Sequence, residues 1–218
     1  FMLIAEAQAR GHRVYFYAPH HLSWCGGAVV APLQPITLAM EQPPVWMLGE
    51  AITTPLAEMD VVLMRQDPPF DMAYITATHL LEQLPAHVAV WNHPAGVRNA
   101  PEKLSVMGFH RFMPPTLISA DPEAIEHFAS QYEAIVAKPL FGFGGSSVFK
   151  FTRHDLNRTT LLEHWQATSR EPLMWQEFRP EVRNSDRRVL FVDGKLGAAF
   201  GRVPAEGSIR ANMRAGGT

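Results

Sequence analysis

Hydrophobic residues in the first ninety positions switch repeatedly between helix-like and strand-like patterns. Residues 1–10 combine apolar side chains with Ala, Glu, Gln and Arg, which predicts a helix. Residues 13–17 (Arg-Val-Tyr-Phe-Tyr) predict a strand. A nearly continuous apolar run over residues 59–64 is typical of a buried parallel strand, and residues 87–91 predict another. Between these two strands, Asp71 can cap a helix that runs to about residue 84.

This alternation predicts an open α/β domain with a mostly parallel sheet. A helix that leads directly into a strand is the second half of a βαβ unit, so we expect the first strand of that unit to precede Phe1. Residues 19–57 are rich in Pro and Gly and predict no particular element.

The pattern changes near residue 92, where antiparallel pairs are predicted. Residues 99–102 have the spacing of a capping box that opens a short helix, and residues 121–123 (Asp-Pro-Glu) open another. Asp193-Gly194 predicts a hairpin turn between two strands. The remaining predicted elements are strands over residues 134–140, 147–151 and 173–178 and a helix over residues 156–166. The second half is therefore predicted to be α+β.

Composition restricts the class of protein. Hydrophobic residues make up 47% of 218 positions and charged residues 18%, which suits a chain with a buried core. The net charge of −2 does not indicate nucleic-acid binding, and no apolar run reaches the length of a membrane span. A single cysteine, Cys25, fits a reducing compartment, so we expect a cytoplasmic protein. The spacing of His20, His21 and Cys25 matches no zinc pattern, and we predict no metal ligands.

A glycine-rich loop after a predicted strand is the strongest chemical feature. Lys138 precedes Gly142, Gly144, Gly145 and Ser146. Backbone N–H groups in such a loop can hold phosphate oxygens, and the lysine supplies a positive charge to the same phosphates. The loop matches neither a Walker A motif nor a dinucleotide fingerprint. On pattern alone, an ordinary glycine-rich turn remains an equal alternative.

Other cationic residues are weaker candidates. Lys103 lies in the first turn of its predicted helix, where a cation is disfavoured unless it contacts an anion or is simply exposed to solvent. The last forty residues contain seven arginines, which suit carboxylate and phosphate groups but also occur on solvated strand edges. Arg188 and Arg202 lie at the ends of the predicted hairpin, and the sequence does not fix which face they occupy.

Several segments together resemble one family, the prokaryotic glutathione synthetases. Residues 64–71 (Met-Arg-Gln-Asp-Pro-Pro-Phe-Asp) are the most specific of them. The other similar segments are residues 99–104, the loop over 138–147, residues 186–190, residues 202–204, and Asn212 with residues 215–217. The lysine and glycine loop is shared with ATP-grasp enzymes in general. The segments follow the family's order along nearly the whole chain.

The resemblance implies an N-terminal α/β domain over residues 1–98, followed by an incomplete ATP-grasp fold. Residues 99–178 are then expected to form the lid subdomain with the glycine-rich loop, and residues 179–218 the start of the C-terminal subdomain. Family members continue past the position of Thr218 with acidic and Asn residues that hold Mg²⁺. We therefore expect a chain shortened at both ends, with magnesium ligands downstream of Thr218, and an isolated 218-residue polypeptide that is inactive.

The resemblance also implies roles for individual residues. Lys103 and Lys138 are expected to bind ATP phosphates, beneath the small loop over the triphosphate formed by Gly142, Gly144, Gly145 and Ser146. Gln176, Glu177 and Phe178 are expected to border adenine through main-chain groups. The polar groups expected to face the nucleotide and dipeptide are Asp186, Arg188, Arg202 and Arg210. The stretch from Val203 onward resembles a mobile loop over the site.

The implied reaction is the ATP-dependent ligation of γ-glutamylcysteine to glycine through an acyl phosphate, giving glutathione, ADP and phosphate. The implied partners are small-molecule substrates and further copies of the chain in a homo-oligomer. Two alternatives remain at this point. One is another ATP-grasp ligase that joins a different carboxylate and amine, and the other is a non-catalytic nucleotide-binding module.

Overall fold

The chain folds into two compact units, Phe1–Pro101 and Glu102–Thr218. The structure, a computed structural model, describes residues 1–39, 45–144, 147–184 and 186–205. Each unit contains its own buried apolar cluster. The mixed α/β architecture agrees with the fold class predicted from the sequence. The expectation of a mostly parallel sheet in the N-terminal domain is wrong for the described residues, because the larger sheet there is antiparallel and only one two-stranded pair is parallel.

An antiparallel sheet organises the first unit. Its central strand is β3 (Ala28–Ala39), and the strands that pair with it are β1 (Tyr15–Phe16), β2 (Ser23–Cys25), β4 (Val45–Leu48) and β5 (Ile52–Pro55). Buried Val29, Ala31 and Leu33 alternate along β3. The sequence predicts no element here, because Pro32 and Pro35 lie inside the strand and proline normally argues against one.

A short parallel pair completes the strands described in this unit. Strands β6 (Val61–Leu63) and β7 (Ala89–Trp91) run in the same direction, as the apolar runs predicted. Helix α2 (Met72–Leu81) connects them, and the carboxylate of Asp71 accepts a hydrogen bond of 2.9 Å from the N–H of Tyr74. Helix α1 (Met2–Ala9) is also present where the sequence predicted it.

Two short helices lie near the boundary between the units. Helix α3 (Pro94–Asn99) belongs to the first unit, and helix α4 (Glu102–Ser105) opens the second. Asn99 is therefore the last residue of α3, and the prediction that it caps the following helix is wrong. Pro101 separates the two helices, since a proline disfavours helical geometry in the residue before it.

A four-stranded antiparallel sheet forms the centre of the second unit. Its order is β10 (Phe149–Thr152), β9 (Ala134–Pro139), β11 (Leu173–Glu177) and β8 (Thr116–Ser119). Helices α5 (Pro122–Ser130) and α6 (Asn157–Thr168) contribute Ile125, Ala129 and Leu162 to the apolar cluster against this sheet. The sheet side chains in that cluster include Ile135, Ala137, Leu173 and Trp175.

Alternation along these strands separates the two faces of the sheet. Ala137 and Trp175 point toward the helices, so Lys138 and Gln176, one residue further on, point to the opposite face. Thr116 is the register partner of Gln176 and lies on that same opposite face. The strand pattern therefore keeps these polar side chains away from the apolar cluster.

A separate hairpin contains the arginine-rich segment. Strands β12 (Asp186–Val192) and β13 (Lys195–Arg202) pair with each other, with an irregularity between Leu190 and Phe191. Asp193 and Gly194 have φ values of 50° and 71°, which is the left-handed geometry of the predicted two-residue turn. The hairpin prediction is confirmed.

Candidate functional site

Lys138 lies on β9 with its side chain on the polar face of the sheet. Its ammonium donates a hydrogen bond of 2.6 Å to Oε1 of Gln176 on the neighbouring strand β11. Gln176 is 7% exposed, so its amide is held almost entirely inside the unit. Burial lowers the pKa of Lys138, and the positive charge of Lys103 lowers it further.

Lys103 lies in the only turn of α4 and reaches the loop that follows β9. Its ammonium donates to the carbonyl oxygen of Gly142 at 2.5 Å and to that of Leu140 at 3.2 Å. Burial lowers the pKa of Lys103 as well, while neighbouring Glu102 opposes that change. The two lysines that the resemblance singled out are thus brought together around one loop.

This arrangement leaves an excess of positive charge at the polar face of the sheet. Among the described residues, neither Lys103 nor Lys138 forms an ion pair with a carboxylate. Two partly desolvated ammonium groups that repel each other favour an anion between them or beside them. The pair of lysines therefore fits a ligand with several negative charges, such as a polyphosphate.

The glycine-rich loop begins directly after β9. A Cβ atom on Gly142 would lie 3.2 Å from Cβ of Pro139, so this position has little room for a side chain. Gly144 has a φ of 63°, which is the left-handed region that glycine adopts without strain. Gly145 and Ser146, which were also predicted to cover phosphates, lie outside the described residues.

The segment that was predicted to border adenine follows the same strand. The N–H of Glu177 donates to the carbonyl of Pro115 at 3.1 Å, and the N–H of Phe178 donates to that of Ala134 at 2.9 Å. These two main-chain donors therefore have partners within the sheet. The ammonium of Lys150 lies 4.2 Å from the centre of the Phe178 ring, a cation–π contact.

The hairpin places three of its predicted site residues on one face. Asp186 is the register partner of Arg202, and Arg188 is the partner of Phe200 two residues along, so both arginines lie on the same face. Arg202 forms an ion pair with Asp186, and its side chain is 12% exposed. Its Nε is buried without a hydrogen-bond partner among the described residues. Arg210 lies outside the described part of the chain.

The loop with two prolines follows the parallel strand β6. The N–H of Met64 bonds to the carbonyl of Trp91, and the amide nitrogen of Asn92 lies 3.4 Å from the carbonyl oxygen of Met64. Residues 65–71 therefore begin where the carboxyl ends of β6 and β7 meet, the edge at which open sheets bind ligands. Tyr74 packs on Phe70 with a ring separation of 5.1 Å, so the loop is anchored to α2.

Comparison with known proteins covers both units. Residues 102–218 match the profile of the prokaryotic glutathione synthetase ATP-grasp domain. Residues 1–98 match the profile of the N-terminal domain of the same enzymes. The chain belongs to the prokaryotic glutathione synthetase family.

Curated members of the glutathione synthetase family match over the full length of this chain. The glutathione synthetase of Rhodopseudomonas palustris is 48% identical over 217 residues, which is 100% of this chain and 69% of that protein. The glutathione synthetase of Bradyrhizobium diazoefficiens is 47% identical with the same coverage. The chain thus spans about 69% of the length of these relatives.

Solved structures with a similar fold include complexes of the ATP-grasp ligase PsnB and a D-alanyl-alanine synthetase. The ligase PsnB in complex with its minimal precursor has a TM-score of 0.55 and 21% identity, and covers 93% of this chain and 66% of its own. A PsnB complex with Mg and ADP has a TM-score of 0.52 and 21% identity, over 91% of this chain and 67% of its own. D-alanyl-alanine synthetase A from Vibrio cholerae has a TM-score of 0.51 and 15% identity, over 90% of this chain and 53% of its own. At such low identity these likenesses show the fold alone.

Thr116 and the side chain of Gln176 are the site residues that sequence analysis missed. The family resemblance indicates only the main chain of Gln176, and Thr116 and the Gln176 side chain belong to no charged or glycine-rich motif. The signal was the strand alternation, which predicts that polar residues in a mostly apolar strand share a face. The partners of these strands could not be read from the sequence.

The described residues contain neither a membrane-spanning helix nor a metal-binding cluster. None of their helices has the length and apolar character that crossing a membrane requires. They also contain no cluster of three or more His, Cys, Asp or Glu side chains able to hold a metal ion.

Proposed function

We propose that this chain forms the nucleotide-binding part and much of the substrate-binding part of a ligase that joins γ-glutamylcysteine to glycine at the expense of ATP. One observation carries the proposal: Lys103 and Lys138 meet beside a glycine-rich loop without a carboxylate partner among the described residues. Membership of the glutathione synthetase family supplies the substrate class.

The two lysines hold the phosphates of ATP. Burial and, to a smaller extent, repulsion from Lys103 lower the pKa of Lys138 in the free protein, and the charge of a triphosphate would oppose both effects. Lys103 exchanges its loop carbonyls for phosphate oxygens, or bridges the two. Gly142, Gly144, Gly145 and Ser146 let the backbone approach the triphosphate, and residues 176–178 border the adenine ring.

The chain's contribution to the reaction is to position groups and balance charge. The carboxylate of γ-glutamylcysteine attacks the γ-phosphoryl group, ADP leaves, and an acyl phosphate forms. The amine of glycine then attacks the acyl carbon and phosphate leaves. Fixed cations beside the phosphates stabilise the charge that develops in such a transfer, and exclusion of water protects the acyl phosphate.

The hairpin arginines bind the dipeptide and the reacting phosphate. Arg188 and Arg202 share a face, and Arg202 has a buried Nε that is free to donate among the described contacts. Asp186 fixes the other end of the Arg202 guanidinium, so the free donor keeps one direction. Because of the family resemblance, the same binding role is proposed for Arg210.

Magnesium is part of the proposal only through the family. Among the described residues, no three His, Cys, Asp or Glu side chains lie close enough together to hold a metal ion. The proposed ligands lie beyond Thr218. When bound, the ion would supply positive charge that offsets the negative charge of the phosphates.

A coupled assay on the full-length gene product tests the function. We expect ADP release that requires both γ-glutamylcysteine and glycine, and that falls by about a hundredfold or more in Lys138→Met. The exposed Lys195→Met is the matched control, because it removes a lysine from the end of the hairpin. ADP release that ignores γ-glutamylcysteine but responds to another carboxylate would assign the chain to a different ATP-grasp ligase.

Three further expectations stay predictions. The division of the second unit at residues 178 and 179 would be tested by limited proteolysis. A homo-oligomer would be tested by light scattering of the purified protein. A cytoplasmic location would be tested by fractionation of the source cells.

A further inference from the structure

Three polar side chains form a continuous hydrogen-bonded chain across three neighbouring strands. The hydroxyl of Thr116 on β8 donates to the carbonyl of Pro114 at 2.7 Å. Nε2 of Gln176 on β11 donates to that hydroxyl at 2.8 Å. Oε1 of Gln176 then accepts the hydrogen bond of 2.6 Å from Lys138 on β9. The sheet register aligns Thr116 with Gln176 directly.

The hydrogen bond from Thr116 to Pro114 fixes the donor and acceptor roles along this hydrogen-bonded series. A carbonyl oxygen can only accept, so Thr116 must give its single hydroxyl proton to Pro114. The hydroxyl then has only lone pairs to offer Gln176, and the amide must turn its NH₂ group toward Thr116. The amide oxygen is left facing Lys138. The reversed amide would set two N–H donors against an ammonium, which is electrostatically unfavourable.

We propose that Thr116 is a positioning residue for the nucleotide site: through the amide of Gln176, its hydroxyl holds the ammonium of Lys138 in one place on the polar face of the sheet. The inference rests on the proposed function, because Lys138 is taken to bind ATP phosphates. Thr116 itself touches neither the nucleotide nor Lys138.

Burial of Lys138 explains why its ammonium requires a well-placed hydrogen-bond acceptor. Gln176 is 7% exposed, and desolvation lowers the pKa of Lys138. Gln176 Oε1 is the hydrogen-bond acceptor described for this ammonium, so it provides the local stabilisation of the charged form. A lysine side chain has four rotatable bonds, and an acceptor held in one orientation limits where its end can lie.

Binding of a non-hydrolysable ATP analogue provides the first test. In the full-length gene product, calorimetric titration with adenylyl imidodiphosphate should show about a tenfold loss of affinity for Thr116→Val. Thr116→Ser keeps the hydroxyl and should stay within about twofold of the wild type. Thr76→Val is the matched control, because it removes a hydroxyl on an exposed part of α2 that donates to the carbonyl oxygen of Met72 at 2.7 Å.

The titration of Lys138 provides a second test that does not involve nucleotide. Acetylation of Lys138 by an activated ester, followed over pH by peptide mass spectrometry, reports the fraction of neutral amine. Without the Thr116 hydroxyl, the amide of Gln176 is no longer held with its oxygen toward Lys138, and a less well placed acceptor disfavours the ammonium. Thr116→Val should therefore shift this profile to lower pH and speed acetylation about threefold or more near neutral pH. Gln176→Met should give the same shift, and Thr116→Val should add nothing to it in the double variant.

The outcomes separate this inference from the function on which it rests. A wild type that does not bind the analogue, while Lys138 responds to Thr116→Val, overturns the ATP assignment and supports the hydrogen-bonded chain. A wild type that binds the analogue, with an unchanged Lys138 profile in Thr116→Val, overturns the role of Thr116. An effect of Thr116→Val that persists in the Gln176→Met background also overturns it. If Thr116→Val does not fold, Thr116→Ala removes the same hydroxyl without adding a methyl group, and its Lys138 profile decides between these outcomes.

Discussion

Lys103 and Gly142 are 39 residues apart in the sequence, yet the lysine ammonium donates a hydrogen bond of 2.5 Å to the glycine carbonyl. The helix before the sheet is thereby tied to the loop after β9. We expect Lys103→Met to weaken ATP binding by about tenfold or more, because it removes both a charge and the bonds that hold the loop.

Calorimetric titration of the full-length protein with the ATP analogue would measure this loss. Lys195→Met, at the exposed end of the hairpin, should bind like the wild type. Equal affinity in Lys103→Met and Lys195→Met would remove Lys103 from the nucleotide site.

The lysine pair also predicts the alkaline limit of ATP binding. Burial and the charge of Lys103 lower the pKa of Lys138, and burial lowers that of Lys103. ATP binds the protonated lysines, so its affinity should be highest below these lowered pKa values and should decline as pH rises through them. The decline should therefore begin below the ordinary range of lysine. Analogue affinity measured between pH 7 and 11 would check it, and a decline only within the ordinary range would contradict the arrangement.

The ion pair of Arg202 with Asp186 should stabilise the hairpin. Asp186→Asn removes the charge that faces a mostly buried guanidinium, so we expect a loss of about 1–2 kcal/mol of stability. Differential scanning calorimetry would register this as a lower melting temperature. Asp193→Asn makes the same chemical change in the exposed turn, where Asn also accepts a positive φ, and should have little effect.

Acid stability of the second unit should depend on Glu126. Arg158 is 7% exposed and bonds to both carboxylate oxygens of Glu126, at 2.9 and 2.6 Å, which joins α6 to α5. The hydrogen bond from Arg158 holds the pKa of Glu126 below its usual value. The stabilisation is therefore present above the unfolded value of about 4.3 and is lost as pH falls through the lower folded value.

Replacement of Glu126 by Gln should reduce that dependence on pH. Half of the Glu126 side chain is exposed, so we expect a loss of only about 1 kcal/mol near neutral pH and a flatter decline on acidification. Glu163→Gln, on α6, serves as the control for removal of one carboxylate. Thermal melts at pH 3 to 7 would compare the variants, and parallel curves for wild type and Glu126→Gln would show that the pair contributes nothing to acid stability.

Local structural features could be predicted from the sequence where one short segment determines them. The turn at Asp193-Gly194 and the cap at Asp71 depend on a few adjacent residues, and both are present as predicted. Lys138 and the glycine loop were predicted as a phosphate site for the same reason, and that role stays a prediction. The capping role given to Asn99 was wrong because the competing helix before it uses the same residue.

Long-range pairing was not readable from one sequence. Strand β3 contains two prolines, and it is extended because four other strands pair with it. Thr116 and Gln176 are 60 residues apart, and their contact depends on the pairing of β8 with β11. Polar residues within apolar strands therefore identify candidates, while the fold decides which of them meet.

Ala137 and Lys138 are adjacent on β9 and point to opposite faces of the sheet. The number of residues in β9 should therefore matter more for the fold than the identity of most of its side chains. Inserting or deleting one residue there would turn the ammonium into the packed side of the unit and bring an apolar group out in its place. Substitutions along this strand can be absorbed one at a time, but a change of spacing would reverse every later position in it. Natural variation in length should therefore fall in the connecting loops of this unit.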